Sequence, residues 1–132
     1  MVEDPGELKG ALSSLLSRVD LLWLIADPGV LADRATIEQI FATGDTLKKP
    51  IYTYSDAFVR YGASLVAAAY TPTMCWQAAN LTQSILRKEP ITEAVHSPAG
   101  SHITLNLCQH GKLKASYNPD ALDSVNRLLE CR

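Results

Sequence analysis

The run Leu21-Leu22-Trp23-Leu24-Ile25-Ala26-Asp27, followed at once by Pro28-Gly29, constrains this chain more than any other stretch. It holds no polar residue until the aspartate. An unbroken apolar run of this length between turn residues predicts a strand buried on both faces, as in the middle of a parallel sheet. Pro28 has no N–H and ends the pairing. Asp27 is therefore expected at the carboxyl end of a central strand, the edge of an open α/β sheet where ligands sit.

The flanking segments alternate in type. Asp4-Pro5-Gly6-Glu7 reads as a helix start, with Asp4 as N-cap, Pro5 in the first helical position and Glu7 completing a capping box. Leu8, Ala11, Leu12, Leu15, Leu16 and Val19 then recur at helical spacing, one face against a sheet, and Asp20 ends the helix almost on the strand. Beyond Gly29, Ile37, Ile40 and Phe41 mark a second helix, capped by Thr36 or Asp33, with Gly44 near its end. Ile51 to Tyr54 is β-prone and runs into Ser55-Asp56; Ala57 to Tyr61 fits one helical turn closed by Gly62. Ser64 to Tyr70 reads as an alanine-rich third strand. Thr71 as cap and Pro72 open a helix whose face carries Met74, Ala78, Leu81 and Ile85 and which ends near Lys88. Ile91 to Ala99 and Ser101 to Leu107 read as extended, the latter alternating and half-buried. A turn around Gly111 and a polar loop through Asn118-Pro119 lead to a last helix with Leu122, Val125, Leu128 and Leu129. This order predicts one α/β domain over residues 1–132: a three-layer, Rossmann-like, mostly parallel sheet flanked by helices.

Composition narrows the function. A net charge of -2 argues against non-specific binding to nucleic acid, which needs a basic face. No run approaches the roughly 18 apolar residues of a membrane span. The acidic start Met1-Val2-Glu3-Asp4 does not read as a signal peptide. Neither GxGxxG nor GxxxxGK[ST] occurs, nor a G-x-S-x-G elbow, so no cofactor and no catalytic machinery of those kinds is expected. His102, Cys108 and His110 match no strong zinc spacing and read as solvated histidines and a packed thiol, with no metal. The three cysteines (Cys75, Cys108, Cys131) form no CxxC pair and leave the compartment open.

What remains is a set of polar groups at successive strand ends: Asp27, Ser55-Asp56 and Tyr70-Thr71. Each could simply cap a helix or form a turn, Thr71 above all. Two carboxylates on one rim could also accept hydrogen bonds from an ammonium or hydroxyl ligand, which points to small-molecule binding and not to an enzyme. The alternative is a receiver-like or enzymatic α/β domain using Asp27. It is opposed by the lack of an acidic pair on an earlier strand and by Lys49-Pro50 standing before the second strand.

An ordered set of pieces resembles a known family. Val19-Asp20-Leu21-Leu22-Trp23-Leu24-Ile25-Ala26-Asp27-Pro28, Lys49-Pro50-Ile51, Ser55-x-x-x-Val59-x-x-Gly62-Ala63, Gln77-Ala78-Ala79 with Ile85-Leu86-Arg87, and Leu105-Asn106-Leu107 resemble the ABC-transporter substrate-binding proteins of the type I periplasmic fold, in the branch of tryptophan- and tyrosine-type lipoproteins. The resemblance runs from about Pro5 to Leu107 and covers only the C-terminal half of such a protein. It implies one lobe of a two-lobed clamp that closes on a small, amino-acid-like solute, in an ABC uptake system or a periplasmic sensor. It also implies a periplasmic or extracytoplasmic location, and an ABC permease or a fused signalling module as partner. By the same analogy Asp27 and Ser55-Asp56 line the cleft, Tyr70-Thr71 is a crossover between lobes, and the Pro72–Lys88 helix belongs to the other lobe. A chain of this kind is expected to be a fragment or remnant that either self-associates or lacks an N-terminal lobe. The chain departs from the family at Thr71-Pro72-Thr73 and Cys75-Trp76, and in Cys108 to Tyr117, where the family's helix-then-Gly-Leu pattern is lost.

Overall fold

A computed structural model describes residues 5–31, 33–93 and 95–131; the expected Asp4–Glu7 capping box lies outside the side chains it describes. Helix α1 (Pro5–Leu16) leads into the short strand β1 (Leu22–Trp23), helix α2 (Arg34–Leu47) and strand β2 (Ile51–Thr53). A 3-10 helix (Asp56–Tyr61) joins β2 to β3 (Leu65–Ala69), from which helix α3 (Thr71–Leu86) departs. Strand β4 (Ser101–Asn106) runs straight into helix α4 (Leu107–Leu113); a second 3-10 helix (Pro119–Ser124) and strand β5 (Arg127–Leu129) complete the chain. The five strands form one sheet in the order β1-β2-β3-β4-β5, every neighbouring pair parallel except β3–β4. This is the expected α/β class with a mostly parallel sheet.

Register assigns the faces, because side chains alternate along a strand. Leu22 pairs with Ile51, Thr53 with Val66, and Val66 with Thr104, so these residues share one face. Against that face lie Leu12 and Leu16 of α1, Ile40 and Phe41 of α2 and Phe58 of the first 3-10 helix, forming the core. Gly44 of α2 is there for closeness: a Cβ on it would stand 2.7 Å from Ile51 Cδ1 and 3.2 Å from the Lys49 carbonyl. Asp33 proves to be the α2 cap, accepting from the Thr36 N–H, and that bond holds its carboxyl below the usual range. The Asp56–Tyr61 turn closes on Gly62, whose φ of 102° is one a side chain would strain.

Several expectations are corrected. The Leu21–Asp27 run is not a central strand buried on both faces: β1 is the edge of the sheet, Leu24 is buried, and Trp23 and Ile25 are 58% and 65% exposed. Helix α1 stops at Leu16, leaving a real connection before β1. Thr71 does not cap α3. Tyr70 holds the cap position without a side-chain bond, and Thr71 is already helical. Described residues of the 91–99 segment form no strand, and Gly111 lies inside α4, not in a turn. The segment from Leu107 to Leu113, where a turn was expected, is this helix. The expected final helix is instead a 3-10 helix followed by β5, because Asn126 bonds the Ile103 backbone through both its side chain (2.7 Å) and its N–H (2.9 Å), which aligns the tail with β4.

Candidate functional site

Because β1, β2 and β3 run parallel, the residues that follow them emerge at one end of the sheet. Asp27, Ser55-Asp56 and Tyr70-Thr71 all lie there, and antiparallel β4 brings its first residues, Ser101 and His102, to the same rim. The rim is shared, but the five side chains are not equally available. Asp27 Oδ1 accepts from the N–H groups of Gly29 (2.8 Å) and Val30 (3.3 Å), so this carboxylate shapes its own turn. Ser55 Oγ caps the 3-10 helix through the Ala57 N–H.

Asp56 and Tyr70 converge on β4. Thr104 Oγ1 donates to Asp56 Oδ1 at 3.2 Å, and the Tyr70 ring stacks on His102, centroids 5.6 Å apart and planes 14° from parallel. His102 and Thr104 are two apart on one strand and face the same way. The rim thus offers an exposed carboxylate, a flat aromatic–imidazole platform and, beside them, the start of α3. There the first N–H groups carry no side-chain cap and the helix dipole is positive. An ammonium, an aromatic or apolar side chain and a carboxylate each have a matching feature. Sequence reading missed His102 and Thr104 as members of this site; the alternation over 102–107 carried the signal, since it puts 102 and 104 on one face.

The histidine and cysteine expectations change most. His110 is not solvated: it is 2% exposed, and both ring nitrogens are closed off from solvent beside the Ala115 backbone. Cys108 is not a packed thiol but is exposed and joined to Cys131; Cys75 is free and exposed. Among the described residues no group of three or more His, Cys, Asp or Glu is placed to hold a metal ion. Burial lowers the His110 pKa from its ordinary value, because desolvation disfavours the imidazolium. The unfolded chain then takes up a proton near pH 6.5 that the folded chain resists. This contribution to stability is whole above about pH 6.5 and drains away below it. Urea midpoints at about pH 7.5 and about pH 5.5 should show the loss, and His110→Phe should flatten that part of the profile.

Helix α3 stands apart from the core. None of its residues is buried; Trp76, Ile85 and Leu86 are 70%, 54% and 77% exposed. Its ties are to the 97–99 segment, through Gln77 to the Ser97 carbonyl and the Ala99 N–H, and through Thr73 to the Ala99 carbonyl. No helix among the described residues is long and apolar enough to cross a membrane.

No family model matches the sequence, and no curated protein matches it significantly. Solved structures do. The ligand-free, open structure of a substrate-binding protein with adhesive properties from Clostridium difficile aligns with TM-score 0.73 at 15% identity, over 98% of this chain and 43% of that one. An ABC domain in complex with L-Trp from Streptococcus pneumoniae aligns with TM-score 0.69 at 16% identity, over 97% and 43%. A conserved domain protein from Vibrio cholerae aligns with TM-score 0.68 at 19% identity, over 93% and 41%. The chain spans less than half the length of each. What the likeness shows is the fold: the chain shares the α/β fold of about two-fifths of each of these proteins.

Proposed function

We propose that residues 1–132 form a single α/β domain equivalent to the C-terminal half of a two-lobed solute-binding protein, and that it binds a small, amino-acid-like molecule at the rim. Asp56 and Asp27 would receive the ammonium, Tyr70 would stack on the ligand, and Ser55 and Thr71 would border it. The observation that carries this reading is the convergence of Asp56 and Tyr70 on His102 and Thr104 at the shared strand ends. The complex of one fold neighbour with L-Trp supports the ligand class. Service in an ABC uptake system or in an extracytoplasmic sensor both follow from the family resemblance. The Cys108–Cys131 bond favours an oxidising, extracytoplasmic compartment. Asp27 as a phosphoacceptor or catalytic group is the weaker reading, because its Oδ1 already serves the turn.

A rim encloses one side of a ligand, whereas tight sites bury most of its surface. The bare faces of α3 and β1 support a covering partner, either an N-terminal lobe or a second copy. Affinity of this chain alone should therefore be modest.

The test is a thermal-shift screen of the amino acids. A binder at about a hundredfold its Kd should stabilise the fold by about 2.7 kcal/mol. Asp56→Ala should weaken that binder by about tenfold or more, the loss of a charge-assisted bond. A flat melting temperature across the whole screen, repeated at the highest soluble concentrations, would overturn the reading.

A further inference from the structure

Beyond its ties to the 97–99 segment, helix α3 (Thr71–Leu86) lacks the usual supports of a helix. An isolated helix of its 16 residues is marginal in water, and helices in proteins rest mainly on the burial of one face. Yet α3 buries no residue, has no side-chain cap, and holds no charged residue that could form a pair along its surface. Its sequence nevertheless carries a seam. Met74, Ala78, Leu81 and Ile85 recur at spacings of four, three and four, the a/d rhythm of two helices packed side by side. Met74, Ala78 and Ile85 are exposed and Leu81 is half-buried. A groove of about 540 Å³ runs beside the seam, lined by Met74, Ala78 and Leu81 and by His96 and Pro98 of the neighbouring segment.

We propose that this seam is the interface with a second copy of the chain, the two α3 helices lying antiparallel about a two-fold axis. The seam is its own complement. With the axis between Ala79 and Asn80, Met74 of one copy meets Ile85 of the other, and Ala78 meets Leu81, small against large at the centre. A two-fold axis doubles every charge on an interface, and here there is none to double: Thr71–Leu86 contains no Asp, Glu, Lys or Arg. Antiparallel packing also places the positive end of each helix beside the negative end of its partner. The next seam position is Lys88, outside the helix, which ends the apolar strip. A strip about 24 Å long buries less than the roughly 800 Å² per partner of a stable complex, so the dimer is a weak, reversible one. The seam makes no use of the ligand proposed at the rim, so the two readings stand or fall separately.

Sedimentation of the intact chain between about 5 µM and 1 mM should show a reversible monomer–dimer equilibrium, with a Kd of about 10–100 µM. Ala78→Glu should weaken it about tenfold or more, because a carboxylate on each side of the axis would be buried without a partner. Position 78 is exposed in the single chain, so this variant should fold as the wild type does. Gln83→Glu makes the same change of charge on the opposite side of the helix and should leave the Kd unchanged. Orientation is read with Thr82→Cys under mild oxidation. The free Cys75 of one copy then faces position 82 of the other, and mass spectrometry should find that mixed link in excess of Cys75–Cys75. A chain that stays monomeric to the top of the concentration range would overturn the proposal and leave the seam to a different protein segment. So would a dimer that Ala78→Glu leaves intact, or one in which Cys75 links mainly to Cys75, the mark of parallel helices.

Discussion

Reduction of the Cys108–Cys131 bond should lower the free energy of unfolding by about 3 kcal/mol. The two cysteines are 23 residues apart, and loop-closure entropy for a ring of that size gives about this value. The effect should exceed that of any single surface substitution, because the bond ties the first turn of α4 to the end of β5. That strand has three residues and hydrogen-bonds only to β4 in the sheet. For a chain of this length the melting temperature should drop by about 10 °C. Melting with and without reductant checks this, and the Cys108→Ala/Cys131→Ala variant should melt like the reduced protein. Thiol titration of the native, unreduced chain should find one reactive group, Cys75, which is exposed and free. Three reactive thiols and an unchanged melting temperature would mean that the bond does not form, and the case for an oxidising compartment would go with it.

The pairing of these two cysteines was not legible in the sequence, since three cysteines without a CxxC allow three pairings and none. What decided it was β5. Leu122, Val125, Leu128 and Leu129 have helical spacing, and it is pairing with β4, begun by the bonds between Asn126 and Ile103 across 23 residues, that turns the tail into a strand. The Leu21–Asp27 run misled for the converse reason. Every residue before Asp27 is apolar, so the period-two alternation that puts Leu22 and Leu24 inward and Trp23 and Ile25 outward leaves no trace in residue type. Strand β3 shows tertiary context overriding propensity: its alanines make a poor strand by themselves, yet pairing with β2 on one side and over five positions with β4 on the other makes it the middle of the sheet. By contrast, α2 and the turn closed by Gly62 were readable, because caps and Gly62 act locally; Pro72 placed α3 to within a residue, though its cap is Tyr70 and not Thr71. The shared rim was legible to the same extent: strand-end polar residues can be read from sequence, whereas the partners that fix Asp56 and Tyr70 sit on β4, far along the chain.

Phe58→Ala should be the most damaging single substitution near the rim, costing about 3–5 kcal/mol. Phe58 is 7% exposed, and its ring meets Phe41 at 6.0 Å, Tyr54 at 5.5 Å and Tyr61 at 6.4 Å. Truncation removes the centre of that aromatic cluster and leaves a void that a close-packed core cannot fill. The 3-10 helix that carries Asp56 rests on this ring, since Phe58 is its only buried residue. Loss of the ring therefore frees the carboxylate from its register with Thr104, so any rim ligand should weaken along with stability. Phe58→Leu, which keeps most of the volume, should cost about 1.5 kcal/mol or less and spare binding. Asp56→Asn makes the opposite comparison: it leaves the packing intact, so it should move the urea midpoint little while removing the charge an ammonium needs. Urea titrations of the three variants, each with and without the best ligand of the amino-acid screen, separate these effects. If Phe58→Ala unfolds within about 1 kcal/mol of the wild type, the aromatic cluster does not hold the rim, and the geometry from which binding is inferred loses its support.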